Sequence, residues 1–196
     1  MKIALIGGTG FVGGALLTEL LARGHQVTAL ARSPEKYPAH SGLTVVRADV
    51  SDPAQVAAAV GGHDAVASAY NPGWGEPQIK RLFTEGYDAI IAGLRRAGLT
   101  RLLAVGGAGS LEVAPGLQLV DTPEFPAEWK EGALAARDLL TRLRGEQGLE
   151  WTFLSPPIAL APGERSGHYR VGGDQPLPGT GDAPAGITVA DLAVAI

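Results

Sequence analysis

The stretch Lys2-Ile3-Ala4-Leu5-Ile6-Gly7-Gly8-Thr9-Gly10-Phe11-Val12-Gly13 decides the fold of this chain. Its run of apolar residues predicts a short buried strand. Leucines at helical spacing follow and indicate a helix that ends at Arg23-Gly24. Between the two lie glycines spaced G-x-x-G-x-x-G, which suit a tight turn, close approach to a pyrophosphate, and close packing of helix on strand. We therefore predict a dinucleotide-binding unit; the alternative is a βα turn that is merely tight.

The composition excludes several classes of function. The 196 residues contain no cysteine, which excludes disulfides, a thiol nucleophile and cysteine-bound metals, and favours a cytoplasmic location. A net charge of −4 gives no basic field for nucleic acid or an anionic membrane. The four histidines are far apart in sequence, so we expect no metal site. The remaining expectation is a protein that acts on a small-molecule substrate, as a monomer or a homodimer.

Predicted strands and helices alternate along the whole chain, which is typical of a parallel sheet with helices on both faces. We predict a single NAD(P)-binding Rossmann domain over residues 1–196, with strand order 3-2-1-4-5-6. Residues 157–186 are rich in Gly and Pro, so we expect a substrate-side loop region there. The predicted strands are 2–6, 26–31, 43–49, 64–70, 101–105 and 151–155. The first predicted helix follows the glycine turn, and the others begin near 53, 76, 126 and 188.

Residues after the second predicted strand favour NADP as the cofactor, although NAD is also compatible. Rossmann proteins that bind NAD usually place an acidic residue there, whereas this chain has Arg32-Ser33 with Lys36 nearby. A guanidinium matches a 2′-phosphate well. The alternative is that Arg32 is a solvated loop residue. Asp49, at the end of the third predicted strand, is a candidate to accept a hydrogen bond from the adenine amino group; the alternative is a carboxylate that caps the turn at the strand end.

The motifs resemble the atypical short-chain dehydrogenase/reductases of the NAD(P)H-binding, NmrA-like type. Within that type the chain is similar to the NADH-flavin reductase group, and in outline to biliverdin reductase B. The resemblance covers essentially the whole chain, but members usually continue past the final helix, so we expect a truncated C-terminus. It rests on the glycine stretch, Arg32, Ala48-Asp49-Val50, the run Val105-Gly106-Gly107-Ala108-Gly109-Ser110-Leu111, and the segments Leu154-Ser155-Pro156-Pro157 and 162–170.

The resemblance also implies which residues bind the cofactor. The first glycine turn would line the pyrophosphate, Arg32 would meet the adenosine phosphate, and Pro156 would lie beside the nicotinamide ring. Two strand ends would line the ribose and nicotinamide. The complete expected set is Gly7, Thr9, Gly10, Phe11, Val12, Arg32, Asp49, Val50, Ala67, Ser68, Ala69, Val105, Gly106, Gly107 and Pro156.

The chain departs from typical short-chain dehydrogenases in lacking Tyr-x-x-x-Lys, the pair that supplies the usual acid. Its tyrosines are followed at that spacing by Ser41, Trp74, Ile91 and Gly173. Ketone reduction with the usual acid is therefore disfavoured. A flavin-like or other conjugated acceptor tolerates the absence, because the enzyme mainly binds and orients the two reactants. We expect FMN or FAD to be a substrate rather than a bound cofactor.

Other residues are candidates to contact the acceptor. Ser110 and His168 are the catalytic candidates, while Tyr70, Trp74 and Arg165 are the substrate candidates. Each has a structural alternative: a loop cap for Ser110, solvated loop positions for His168 and Arg165, and core or lid packing for the two aromatic residues.

Two further functions stay open at this point. One is a non-catalytic NADP(H)-binding redox sensor of NmrA-like type, for which a missing acid is equally suitable. The other is a sugar-nucleotide epimerase or dehydratase, which would need the catalytic tyrosine and a larger C-terminal region. The chain has neither feature, so an NADPH-dependent oxidoreductase is the leading hypothesis.

Overall fold

A six-stranded parallel sheet organises the protein. The computed structural model describes residues 1–181 and 183–196. The strands are β1 (Lys2–Ile6), β2 (Gln26–Ala31), β3 (Leu43–Arg47), β4 (Ala65–Ser68), β5 (Arg101–Val105) and β8 (Glu150–Leu154). Their order across the sheet is β3-β2-β1-β4-β5-β8, which confirms the predicted Rossmann arrangement.

Five α-helices of the described residues cover the two faces of the sheet: α1 (Phe11–Ala22), α2 (Pro53–Val60), α3 (Ile79–Ala97), α4 (Ala127–Arg144) and α5 (Val189–Ala195). On one face, apolar residues of α1 and α5 pack against β1 and β2. On the other face, α2, α3 and α4 form the larger part of the core around Tyr87 and Ile90. None of the helices in the described ranges is long and apolar enough to cross a membrane.

Local sequence signals explain where the helices begin and end. The Asp52 carboxylate accepts a hydrogen bond of 2.8 Å from the Ala54 N–H and caps α2, with Pro53 at its first position. Gly98 ends α3 with a φ of 69°. The start of α3 was expected near Glu76 but lies at Ile79. Pro77 disfavours helical geometry at the residue before it, so residues 76–78 form a turn instead.

Four short strands lie outside the main sheet, and the sequence did not predict them. An antiparallel hairpin, β6 (Glu112–Ala114) and β7 (Leu117–Gln118), follows β5. A parallel pair, β9 (Ala159–Ala161) and β10 (Gly186–Thr188), joins the two ends of the long connection between β8 and α5. Each strand is too short to show the alternation from which strands are recognised.

Candidate functional site

The glycine turn after β1 has no room for side chains. Gly7 has a φ of 81°, and a Cβ there would lie 2.5 Å from the Ala69 carbonyl oxygen. A Cβ at Gly13 would lie 2.0 Å from the carbonyl oxygen of Gly7. The first and third glycines therefore allow β1, β4 and α1 to approach one another closely.

The start of α1 offers hydrogen-bond donors to a ligand. Helix α1 begins at Phe11, and among the described residues no side chain caps its N-terminus. Gly10 donates its N–H to the Gly7 carbonyl at 3.0 Å, which closes the turn just before the helix. The N–H groups of the first turn and the positive end of the helix dipole suit an anion such as a pyrophosphate.

A cavity of about 180 Å³ lies beside this turn. The ends of β1, β2, β3 and β4 contribute to it, so the topology brings together residues that are far apart in sequence. Several of the expected cofactor-binding residues meet there. The lining residues are Ile6, Gly7, Thr9, Leu30, Ala31, Arg32, Ser33, Lys36, Tyr37, Ala48, Asp49, Val50, Tyr70 and Asn71.

The charged groups of this cavity have different roles. The Asp49 carboxylate accepts hydrogen bonds from the Ser51 N–H at 2.9 Å and the Ser51 hydroxyl at 2.8 Å. These bonds, with a smaller contribution from the charge of Arg32, lower the pKa of Asp49. Asp49 is thus an ionised turn carboxylate that also borders the cavity. The exposed side chain of Arg32 also borders the cavity.

The end of β4 packs largely into the protein. The buried Ser68 hydroxyl donates to the Tyr87 hydroxyl at 3.1 Å, on the α3 side of the sheet. Tyr70, which lies beyond the strand rather than within it, donates its hydroxyl to the Leu82 carbonyl at 3.2 Å. Its ring fits against Gly86, where a Cβ would lie 2.3 Å away. Tyr70 therefore borders the cavity but is held by α3, which agrees with the alternative that it serves core packing.

At the end of β5, the two glycines after the strand differ in their surroundings. A Cβ at Gly106 would lie 2.1 Å from the Phe153 ring, whereas a Cβ at Gly107 would meet no described atom within 4 Å. Packing of Phe153 therefore accounts for Gly106. Gly107 borders open space, and its place beside the nicotinamide stays a prediction.

Ser110 is buried at the end of the following loop. Its hydroxyl donates to the Gly107 carbonyl at 2.8 Å and lies 3.0 Å from the Ser155 hydroxyl. Since a hydroxyl carries one proton, Ser155 is the donor in that pair. Both serines and the exposed His168 line a larger cavity of about 860 Å³ beside β8. The structure thus brings the two catalytic candidates to one cavity, and sequence reasoning missed Ser155.

Arg165 does not line either cavity. Its guanidinium donates two hydrogen bonds, of 2.7 and 2.9 Å, to the buried Glu19 carboxylate on α1. The Asp191 carboxylate of α5 holds the next residues, accepting bonds of 2.8 Å from the N–H groups of Ser166 and Gly167. The expectation that Arg165 faces the substrate is corrected accordingly: its charge is used to attach the loop to α1.

Trp74 lies on the helix side of the site, and 58% of its surface is exposed. Its indole rests on α4, because a Cβ at Gly132 would lie 2.6 Å from that ring. Neither cavity includes it. The structure therefore places Trp74 on the outer surface of α4.

Pro156 is buried and follows Ser155, directly after the end of β8.

Tyr37, Ser33 and Asn71 border the smaller cavity although the sequence singled out none of them as a site residue. Ser33 adjoins Arg32, so its position follows from that prediction. Tyr37 and Asn71 carry no local signal, since their place depends on how loops from different strands meet.

One family profile and three solved structures bear on this site. The sequence profile of a family described as NAD(P)H-binding matches residues 7–196. A structure from Burkholderia pseudomallei, a "putative exported protein", is 44% identical with a TM-score of 0.88, over 100% of this chain and 90% of that one. A "putative epimerase" from Bacteroides thetaiotaomicron is 43% identical with a TM-score of 0.91, over 99% and 88%.

The third structure is a "putative NADH-flavin reductase" from Streptococcus pneumoniae, 34% identical with a TM-score of 0.84, over 100% of this chain and 90% of that one. Because one of these proteins is described as exported, the cytoplasmic location stays a prediction. The profile match covers nearly the whole chain and includes the glycine turn, the strand ends and both cavities. The chain therefore belongs to the NAD(P)H-binding family of Rossmann oxidoreductases, which confirms its resemblance to the atypical short-chain dehydrogenase/reductases.

Proposed function

We propose that this protein is an NADPH-dependent reductase that transfers hydride to a flavin-like or other conjugated acceptor. The observation that carries the proposal is the cavity in which Arg32, Ser33 and Lys36 lie beside the glycine turn. Charge-assisted hydrogen bonds to a 2′-phosphate contribute about 1.5–3 kcal/mol each. The acidic residue in the same cavity, Asp49, is held by Ser51 in its own turn.

The residues fit a dinucleotide. Gly7 and Thr9 of the glycine turn line the smaller cavity, and the N-terminus of α1, which no described side chain caps, offers N–H groups to an anion. Gly7, Thr9 and the first turn of α1 would hold the pyrophosphate, and Arg32 the 2′-phosphate. When bound, the nicotinamide ring supplies the hydride, and the protein orients the acceptor against it.

The groups at the larger cavity favour an acceptor that does not need a proton from a tyrosine. The Ser110 hydroxyl donates its hydrogen bond to the Gly107 carbonyl, so in this arrangement it is not directed at an acceptor. His168 is exposed at the same cavity and is the proposed proton donor where one is required. A flavin suits this site, because its reduced ring is stable as an anion or takes a proton from water.

The test is to follow nicotinamide absorbance after mixing the pure protein with NADPH and FMN, with NADH in parallel. Turnover that is faster with NADPH supports both the reaction and the cofactor. Binding of NADPH without turnover of FMN or another conjugated acceptor contradicts the reductase and favours the redox sensor. Conversion of a sugar nucleotide without net oxidation of NADPH would favour an epimerase instead.

Replacing Arg32 with Ala tests the cofactor assignment. We expect NADPH to bind about 10- to 100-fold more weakly, because one or two charge-assisted bonds to the 2′-phosphate are lost. NADH binding should change much less, and calorimetric titration measures both. Arg81→Ala is the matched control, since Arg81 pairs with Glu85 on the exposed face of α3. Equal losses for NADPH and NADH would contradict the role of Arg32.

A further inference from the structure

Tyr37 connects two parts of the smaller cavity. It follows the short 3₁₀ helix Pro34–Lys36, which comes directly after β2 and Arg32. Its side chain reaches back to the glycine turn, where a Cβ at Gly8 would lie 2.9 Å from the Tyr37 hydroxyl oxygen and 3.0 Å from its Cε1. The ring thus lies on the space that Gly8 leaves free.

Two kinds of contact hold Tyr37 in this place. Its ring packs against the core between β1 and α1, close to Leu5, whose Cδ2 is also 3.0 Å from the same Cβ position at Gly8. The Tyr37 hydroxyl lies beside Gly8, and burial of the side chain raises the pKa of Tyr37. Apolar packing of the ring and the close approach of the hydroxyl thus place Tyr37 on the turn.

The loop that Tyr37 anchors is short and internally bonded. The Tyr37 N–H donates to the Pro34 carbonyl at 3.1 Å, and the Lys36 N–H donates to the Ser33 carbonyl at 3.2 Å. Arg32, Ser33 and Lys36 all border the cavity from this loop. Because the loop is compact, the docking of Tyr37 fixes how far its two cations lie from the glycine turn.

We propose that Tyr37 is a positioning residue for the choice between NADPH and NADH. It holds the loop so that Arg32 and Lys36 meet the 2′-phosphate while the turn holds the pyrophosphate. A loop fixed beforehand loses less conformational freedom on binding, and only a ligand with a 2′-phosphate benefits from its position. This inference rests on the NADPH preference proposed above.

Calorimetric titration of four ligands tests the inference: NADPH, NADH, adenosine 2′,5′-bisphosphate and ADP. In Tyr37→Ala, we expect the two ligands with a 2′-phosphate to bind about tenfold more weakly or worse, and the other two to change less than about threefold. Ala39→Ser is the control, because Ala39 is exposed on the same loop and borders neither cavity. It should leave all four dissociation constants unchanged.

A second variant reaches the same contact from the other side. Gly8→Ala introduces a methyl group where Tyr37 now lies, so it should displace the ring and lower the NADPH preference in a chain that keeps Tyr37. In the Tyr37→Ala background the same change should alter that preference much less. Because Gly8→Ala keeps Tyr37 in the chain, this single variant tests the contact by itself if Tyr37→Ala is poorly folded.

The outcomes separate this inference from the proposed function. A wild-type protein that binds NADPH no better than NADH overturns the cofactor assignment and this inference together. A wild-type preference that persists in both variants overturns the role of Tyr37 alone. Equal weakening of all four ligands shows that Tyr37 merely supports the turn, which also contradicts the inference.

Discussion

The turn between β1 and α1 and the long connection between β8 and α5 are built in opposite ways. The turn depends on Gly7 and Gly13, which are six positions apart and meet directly. The connection depends on Arg165, whose partner Glu19 lies 146 positions away, and on the attachment of Ser166 to Asp191. The spacing of nearby residues therefore determines the structure of the turn. The structure of the β8–α5 connection depends on contacts with residues that are distant in sequence.

The largest effect is expected from a change within the turn. In Gly13→Ala, the new methyl group would lie 2.0 Å from a backbone carbonyl oxygen, which cannot move aside as a side chain could. We expect a loss of roughly 3 kcal/mol in the free energy of unfolding, and loss of NADPH binding. Urea unfolding and titration with NADPH measure these changes.

Gly14→Ala is the matched control for that experiment. The nearest atom to a Cβ at Gly14 is 3.7 Å away, an ordinary contact. Since Ala favours a helix interior over Gly by about 1 kcal/mol, this variant should be unchanged or slightly more stable. Wild-type stability in Gly13→Ala would show that β1 and α1 do not need their close approach.

A smaller effect is expected from the attachment of the β8–α5 connection. Hydrogen bonds from Arg165 lower the pKa of the Glu19 carboxyl from 4.5 to about 2, although burial opposes this. A lowered pKa in the folded state stabilises the protein above about pH 4.5, and the stabilisation is lost as the pH falls through about 2. Glu19→Gln should therefore lower the melting temperature at pH 6 and flatten its dependence on pH below 4.5.

The control for this prediction is Glu85→Gln, because Glu85 forms an exposed pair with Arg81 within one helix. In Glu85→Gln, the melting temperature should depend on pH between 2 and 4.5 as it does in the wild-type protein. If the melting temperature of Glu19→Gln fell as steeply with pH as that of the wild-type protein, packing rather than the Arg165–Glu19 ion pair would hold the β8–α5 connection in place.

The smallest effect is expected after β5, where the hydroxyl of Ser110 is hydrogen-bonded within the protein. Because Ser110 donates to Gly107, Ser110→Ala should lower kcat for FMN reduction by less than about threefold, leaving the KM for NADPH unchanged. His168→Ala, at the same cavity, is the comparison for a candidate proton donor. A loss of kcat of a hundredfold in Ser110→Ala would show that the serine acts directly on the acceptor.

The fold was predictable because its signals are local. Asp52-Pro53 marks the start of α2, Gly98 marks the end of α3, and the glycine spacing marks the first turn. The alternation of elements then leaves few arrangements for the sheet, and the predicted order is the observed one.

The site was predictable only in part. Arg32 and Asp49 were identified because the ends of neighbouring parallel strands meet at one edge. Arg165 was misjudged, since Glu19 reads in sequence as a surface residue of an amphipathic helix and nothing marks the two as partners. Tyr37 was missed for the same reason: its contact with Gly8 joins two loops whose relative position no local pattern specifies.

The parallel pair β9 and β10 has a consequence for how this architecture can diversify. It brings the two ends of the β8–α5 connection together, and Thr188 adds a hydrogen bond of 3.1 Å to the Glu164 carbonyl. The residues between β9 and β10 form a loop whose two ends are held together, and the main sheet does not constrain the length of this loop. Since doubling a flexible loop costs only about 0.6 kcal/mol in closure entropy, insertions and deletions there are tolerable. Because His168 and Gly172 of this segment line the larger cavity, a change in its length would reshape that cavity without altering the glycine turn.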